Sequence, residues 1–124
     1  MINIKQTTTT PEVNLDKEKC KLILEGRSYP ENAHRFYKPI LKEVINCKED
    51  IKKSNIIIDI KLEVINSVSM RYIHDMIDFI GNNTNSTTVN WYYEIDDEDM
   101  KESIEIAAST FTKINIKDIS VTEL

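Results

Sequence analysis

Hydrophobic positions along the chain change their period several times, and each change marks an element. In CKLILEG, Cys20, Leu22 and Leu24 alternate with Lys21, Ile23 and Glu25, the period of two of a half-buried strand. Together with VNLD before it, the segment predicts two short strands around a turn near Asp16-Lys17, preceded by an exposed start at Thr7 to Thr10 and Pro11. Gly26 ends the second strand, where backbone freedom is needed. Beyond it, Ser28 and Glu31 have capping-box spacing, Pro30 suits an early helical position, and Phe36, Tyr37, Ile40, Leu41, Val44 and Ile45 form a stripe at 3.6 residues. Pro39 clashes with an established helix, so the spacing predicts a turn or irregular first helix over 28–38 and a regular helix over 39–47.

The most strand-like segment is SNIIIDIKLEVIN. Ile56, Ile58, Ile60, Leu62 and Val64 occupy one face, and Ile57 and Ile65 add apolar character to the other, where Asp59 and Glu63 also lie. Such two-sided character predicts a central strand covered by helices on at least one face. The period then lengthens through Met70, Ile73, Met76, Ile77 and Ile80, a helix that Gly81-Asn82 terminates. TVNWYYEID reads as a fourth strand, with Trp91 and Tyr93 on one side and Tyr92 on the other. Asp96 is placed to cap a third helix with the thin stripe Met100, Ile104, Ala107 and Ala108, and FTKINIKDISV supplies a last strand. The order β-β-α-β-α-β-α-β predicts an α/β fold, a mixed five-stranded sheet flanked by helices, in one domain over 1–124.

Composition narrows the function classes. The formal net charge is -5, which disfavours nucleic acid and anionic membranes, both of which demand clustered Lys and Arg. Cys20 and Cys47 have neither C-x-x-C nor metal spacing and read as free thiols of a reducing compartment. The opening MINIKQTTTT lacks an export signal, and no apolar run is long enough for a membrane span, so a cytoplasmic protein is expected. His34 and His74, the candidates for acid-base chemistry, fall on different helices, and no metalloprotease, nucleophile-elbow or phosphate-loop motif is present. The acidic run EIDDED at 94–99 offers carboxylates to a divalent cation but suits a helix start equally well. No cofactor is implied.

The junction Asn66, Ser67, Val68, Ser69 carries the strongest candidate chemistry. Asn66 or Ser67 can cap the helix that begins there. A hydroxyl exposed at such a junction is also within reach of a kinase, and a helix N-terminus tolerates the resulting phosphate.

GRSYPEN at 26–32, IDIKLEVINSVS at 58–69 and NWYYEIDDED at 90–99, in that order and spacing, resemble the SiaC-like regulatory phosphoproteins, which are akin to anti-sigma factor antagonists of the STAS type. The resemblance covers nearly the whole chain. It implies a STAS-like fold and a protein without enzymatic activity that is phosphorylated by a GHKL-type Ser/Thr kinase and dephosphorylated by a PP2C-like phosphatase. It also implies an unphosphorylated form that binds a downstream effector such as a GGDEF diguanylate cyclase. The family's acceptor is a threonine directly after an asparagine at the end of the central strand; the matching position is Ser67, after Asn66, and Ser69 matches a further hydroxyl and is the second choice. Arg27, Ser28, Tyr29, Pro30, Glu31 and Asn32, with Asn66, Ser67, Met70 and Arg71, are expected to form the partner surface. Two rival readings are a constitutive binding module in which Ser67 only caps the helix, and a small enzyme that uses His34 or His74.

Overall fold

The computed structural model describes residues 1–124, and its strands are laid down in chain order across one sheet. The strands are β1 (Ile2–Ile4), β2 (Glu12–Asp16), β3 (Lys21–Ser28), β4 (Asn55–Ile65), β5 (Ser86–Glu94) and β6 (Asn115–Val121). The helices are α1 (Ala33–Asn46), the single turn α2 (Lys48–Ile51), α3 (Ser67–Asn82) and α4 (Glu98–Thr110). The sheet has six strands, one more than the hydrophobic pattern predicts. The additional strand, β1, has only three residues, Ile-Asn-Ile, too few to establish a period without its antiparallel partner β2.

The first three strands pair antiparallel, while β3, β4, β5 and β6 pair parallel in sequence. Each parallel connection steps one strand in the same direction. Because such crossovers are right-handed, their helices all fall on the same face. One core results: Leu22, Leu24, Ile56, Ile58, Ile60, Leu62, Val89, Trp91 and Tyr93 from the sheet pack with Tyr37, Ile40 and Val44 of α1, Ile73, Met76, Ile77 and Ile80 of α3, and Ile104 of α4. Each large side chain buried there contributes roughly 1.5–3 kcal/mol relative to exposure.

The second face of the sheet is open. Ile57, expected to be covered, is 42% exposed. Polar bonds across the strands serve this face: Asp59 accepts from Lys21 at 3.1 Å and from Asn90 at 3.0 Å, and the Lys61 ammonium lies 5.0 Å from the Tyr92 ring centre. The β3–β4 register slips between Gly26 and Arg27, so that Gly26 faces Leu62 while Arg27 faces Val64. This bulge reverses the alternation. Val64, expected in the core, is exposed, while Ile65 packs against the core.

Helix ends also differ from the sequence pattern. Asn32 caps α1 by accepting from the Arg35 N–H, whereas Ser28 lies at the end of β3. Pro39 lies inside α1, and the expected break there is absent. Arg35 and Pro39 are both on the solvent side, so the carbonyl that loses its helical bond is open to hydration. Asp97, one residue after the expected Asp96, caps α4 through the Met100 N–H. Gly81 is still helical, and its missing side chain admits Ile114 from the segment before β6. No helix is long and apolar enough to cross a membrane.

Candidate functional site at the β4–α3 junction

The central strand β4 ends at Ile65, and the chain turns into α3 through Asn66. Asn66 has extended backbone (φ -80, ψ 167), and its side chain accepts the Ser69 N–H at 2.9 Å, which satisfies one of the orphan donors of the first turn. Its own N–H donates to the Ser28 carbonyl at 2.8 Å and so ties the junction to the end of β3. Ser67 is the first helical residue, exposed, and its hydroxyl bonds no protein atom. The cap is therefore Asn66, and capping gives no account of the Ser67 hydroxyl.

Ser69 has a different environment. It is completely buried, and its hydroxyl has no hydrogen-bond partner. It lies near a second buried pair, Ser28 Oγ and the Tyr37 hydroxyl, 2.5 Å apart. Burial raises the Tyr37 pKa above the ordinary phenol value, and the hydroxyls of Ser28 and Ser69 oppose the rise. Ser69, the second choice for the acceptor, is thus buried in this conformation.

The 27–32 loop lies beside the junction. Gly26, at φ 117, has a conformation that L side chains rarely adopt, and a Cβ there would meet Gln6 Oε1 at 2.7 Å. Arg27 Nε donates to Glu63 Oε2 at 3.0 Å, so Glu63 serves the loop while Asp59 is engaged farther down the strand. The Tyr29 N–H donates to the Thr9 carbonyl at 2.9 Å, and the Tyr29 side chain is left 38% exposed. Arg27, Tyr29, Glu31 and Asn32 point outward together with Arg71, and Met70 is half-buried. Ser28 and Pro30, expected on the partner surface, are buried; they shape the loop from within.

The two histidines form no catalytic pair. His34 Nδ1 bonds the Tyr72 hydroxyl at 2.7 Å, and Tyr72 stacks on Tyr37 with centroids 5.5 Å apart, a contact that locks α1 to α3. His74 packs edge-on against Phe111, and its Nε2 is buried without a partner. Burial lowers its pKa below the ordinary value, with the Asp75 charge opposing. Neither ring bonds a carboxylate. The acidic run at 94–99 brings no group of three potential metal ligands together, and Asp97 within it is occupied in capping. The Tyr37–Tyr72–His34 contact was not legible in the sequence, because only the packing of α1 on α3 brings those residues together.

Residues 4–121 match the model of the SiaC family regulatory phosphoprotein. The chain belongs to the SiaC family. The family consists of regulatory phosphoproteins, so the protein is a signalling component rather than an enzyme. An uncharacterized protein of Pseudomonas aeruginosa is 23% identical over 107 residues, with 84% of each chain covered. Among solved structures, the complex of the diguanylate cyclase SiaD with its activator SiaC from Pseudomonas aeruginosa gives a TM-score of 0.84 at 21% identity, covering 98% of this chain and 100% of that chain. Apo-SiaC from the same organism gives 0.79 at 21% identity, covering 95% and 97%. At these identities the likeness establishes the fold, a mixed sheet with STAS-like architecture.

Proposed function

We propose that the β4–α3 junction is a phosphorylation switch, with Ser67 as acceptor, a GHKL-type Ser/Thr kinase as writer and a PP2C-like phosphatase as eraser. The observation that carries this reading is the contrast between the two serines: Ser67 is exposed and unbonded on the first turn of α3, while Ser69 is buried. In the transfer, the Ser67 oxygen forms a bond to the γ-phosphorus of ATP as the bond to ADP breaks, and the hydroxyl proton passes to a base of the kinase. The phosphate adds nearly two negative charges to the exposed first turn of α3, which Arg71 follows four residues on from the acceptor. Such a change alters what the surface binds while leaving the core untouched.

The unphosphorylated form is the one that engages the effector. The solved complex of a similar fold pairs a diguanylate cyclase with its activator, which supports a cyclase of that type as the effector here and cyclic di-GMP synthesis as the output. The test is peptide mass spectrometry after incubation with the cognate kinase and ATP, for wild type, Ser67→Ala and Ser69→Ala. A single phosphate, lost only in Ser67→Ala, is the expected result. A kinase that works on another substrate but leaves this chain unmodified overturns the switch and leaves a constitutive binding surface.

A further inference from the structure

The arginines near the junction differ in their engagement. Arg27 is held by Glu63, and the remaining ion pairs of the protein belong to Lys17, Lys21 and Lys52. Arg71 is exposed and makes no ion pair, although Asp75 lies one turn ahead of it on α3. Side chains on a helix lean toward its N-terminus, so a residue covers the turn before its own. The turn that Arg71 is placed to cover is the one that carries Ser67, four residues earlier. Residues at this spacing have Cβ atoms about 5–6 Å apart, within reach of a guanidinium and a phosphate.

A second feature of α3 converges on the same place. Its first turn has no acidic residue, whereas α4 carries Glu98 and Asp99 in the corresponding positions. The positive end of the α3 dipole is left without a compensating charge. Asn66 and its carbonyl take the N–H groups of Ser69 and Met70, while those of Ser67 and Val68 have no protein acceptor. An uncompensated dipole end, two free backbone donors and an unpaired guanidinium thus share the first turns of α3 with the Ser67 hydroxyl.

Taking Ser67 as the acceptor, we propose that Arg71 is the clamp for its phosphate: on phosphorylation the guanidinium closes on the phosphate oxygens. Arg is suited to this because its planar fork donates two parallel hydrogen bonds to a phosphate, which a lysine ammonium cannot match. Phosphorylation then acts twice on the partner surface, by adding an anion and by withdrawing its free cation into an internal pair.

The test uses full-length protein with phosphoserine installed at position 67 during synthesis, so that it does not depend on any kinase. The second ionisation of the phosphate is followed by phosphorus NMR in the otherwise wild-type chain and in Arg71→Gln, Arg71→Lys and Arg35→Gln. The expected result is a phosphate pKa lower by about half a unit with Arg71 present than in Arg71→Gln, an intermediate value in Arg71→Lys and no change in Arg35→Gln. Coincident titrations for wild type and Arg71→Gln overturn the clamp. A shift on removing Arg35 alone would reassign the clamp to α1 and overturn it equally. Mass spectrometry with the kinase reports separately on whether Ser67 is the natural acceptor.

Discussion

The buried pair of Ser28 and Tyr37 permits a sharp test of how the β4–α3 junction is held. Tyr37→Phe removes one hydroxyl and leaves Ser28 Oγ, fully buried, without its partner at 2.5 Å. An orphaned buried hydroxyl costs about 1–3 kcal/mol, and Ser28→Ala strands the Tyr37 hydroxyl in the same way. The double variant Ser28→Ala/Tyr37→Phe removes both polar groups with little change of shape, so its loss is expected to fall short of the summed single losses by about 1–2 kcal/mol. Ser69→Ala provides a contrasting control: its hydroxyl is buried with no hydrogen bond, so removal is expected to be neutral or stabilising. Urea unfolding at neutral pH, where the phenol is uncharged, reads all four variants, provided the denaturant slopes agree. Strict additivity of the two single losses, or a Ser69→Ala loss as large as that of Tyr37→Phe, would refute this account of the network.

Three further outcomes are expected. Asn66→Ala loses the α3 cap and about 1 kcal/mol, whereas Asn66→Asp keeps an acceptor for the Ser69 N–H and stays near wild type, again read by urea unfolding. Gly26→Ala should cost about 1–3 kcal/mol in the same assay, because φ 117 is hostile to a Cβ that also meets Gln6. His74 has its pKa lowered by burial, so its neutral form contributes stability that is present above the ordinary histidine pKa and lost as pH falls through the lowered value. Thermal unfolding between pH 7 and 5 should therefore show a fall that is weaker in His74→Phe, and equal slopes for the two proteins would sink this assignment.

Which elements were legible in the sequence depended on how local their causes are. The alternation of Leu22 and Leu24 and the helical recurrence of Ile73, Met76, Ile77 and Ile80 report burial on one side of a single element and marked β3 and α3, although Cys20 lies in the turn before β3 and the strand runs past Gly26 to Ser28. Three motifs in order sufficed to assign the family, because they sample the two parts of the junction and the neighbouring strand β5. Other features depend on contacts between distant segments. Ser28 reads as a cap by its spacing to Glu31, yet its hydroxyl bonds Tyr37 and its carbonyl bonds the Asn66 N–H. Pro39 reads as a break, yet packing of Tyr37, Ile40 and Val44 in the core holds α1 through it. Val64 and Ile65 exchanged faces because a bulge between neighbouring strands shifts the register, which no pattern within β4 records.

The same division applies to the serines of the β4–α3 junction. The sequence by itself determined that an Asn-Ser-x-Ser run follows the central strand, since a change of hydrophobic period needs only neighbours along the chain. Tertiary structure alone separates the two serines by exposure: both lie in the first turn of α3, but Ser69 is buried, while Ser67 is open to solvent. Exposure is set by what packs against a residue, and here that neighbour arrives from α1, some thirty residues away in the chain.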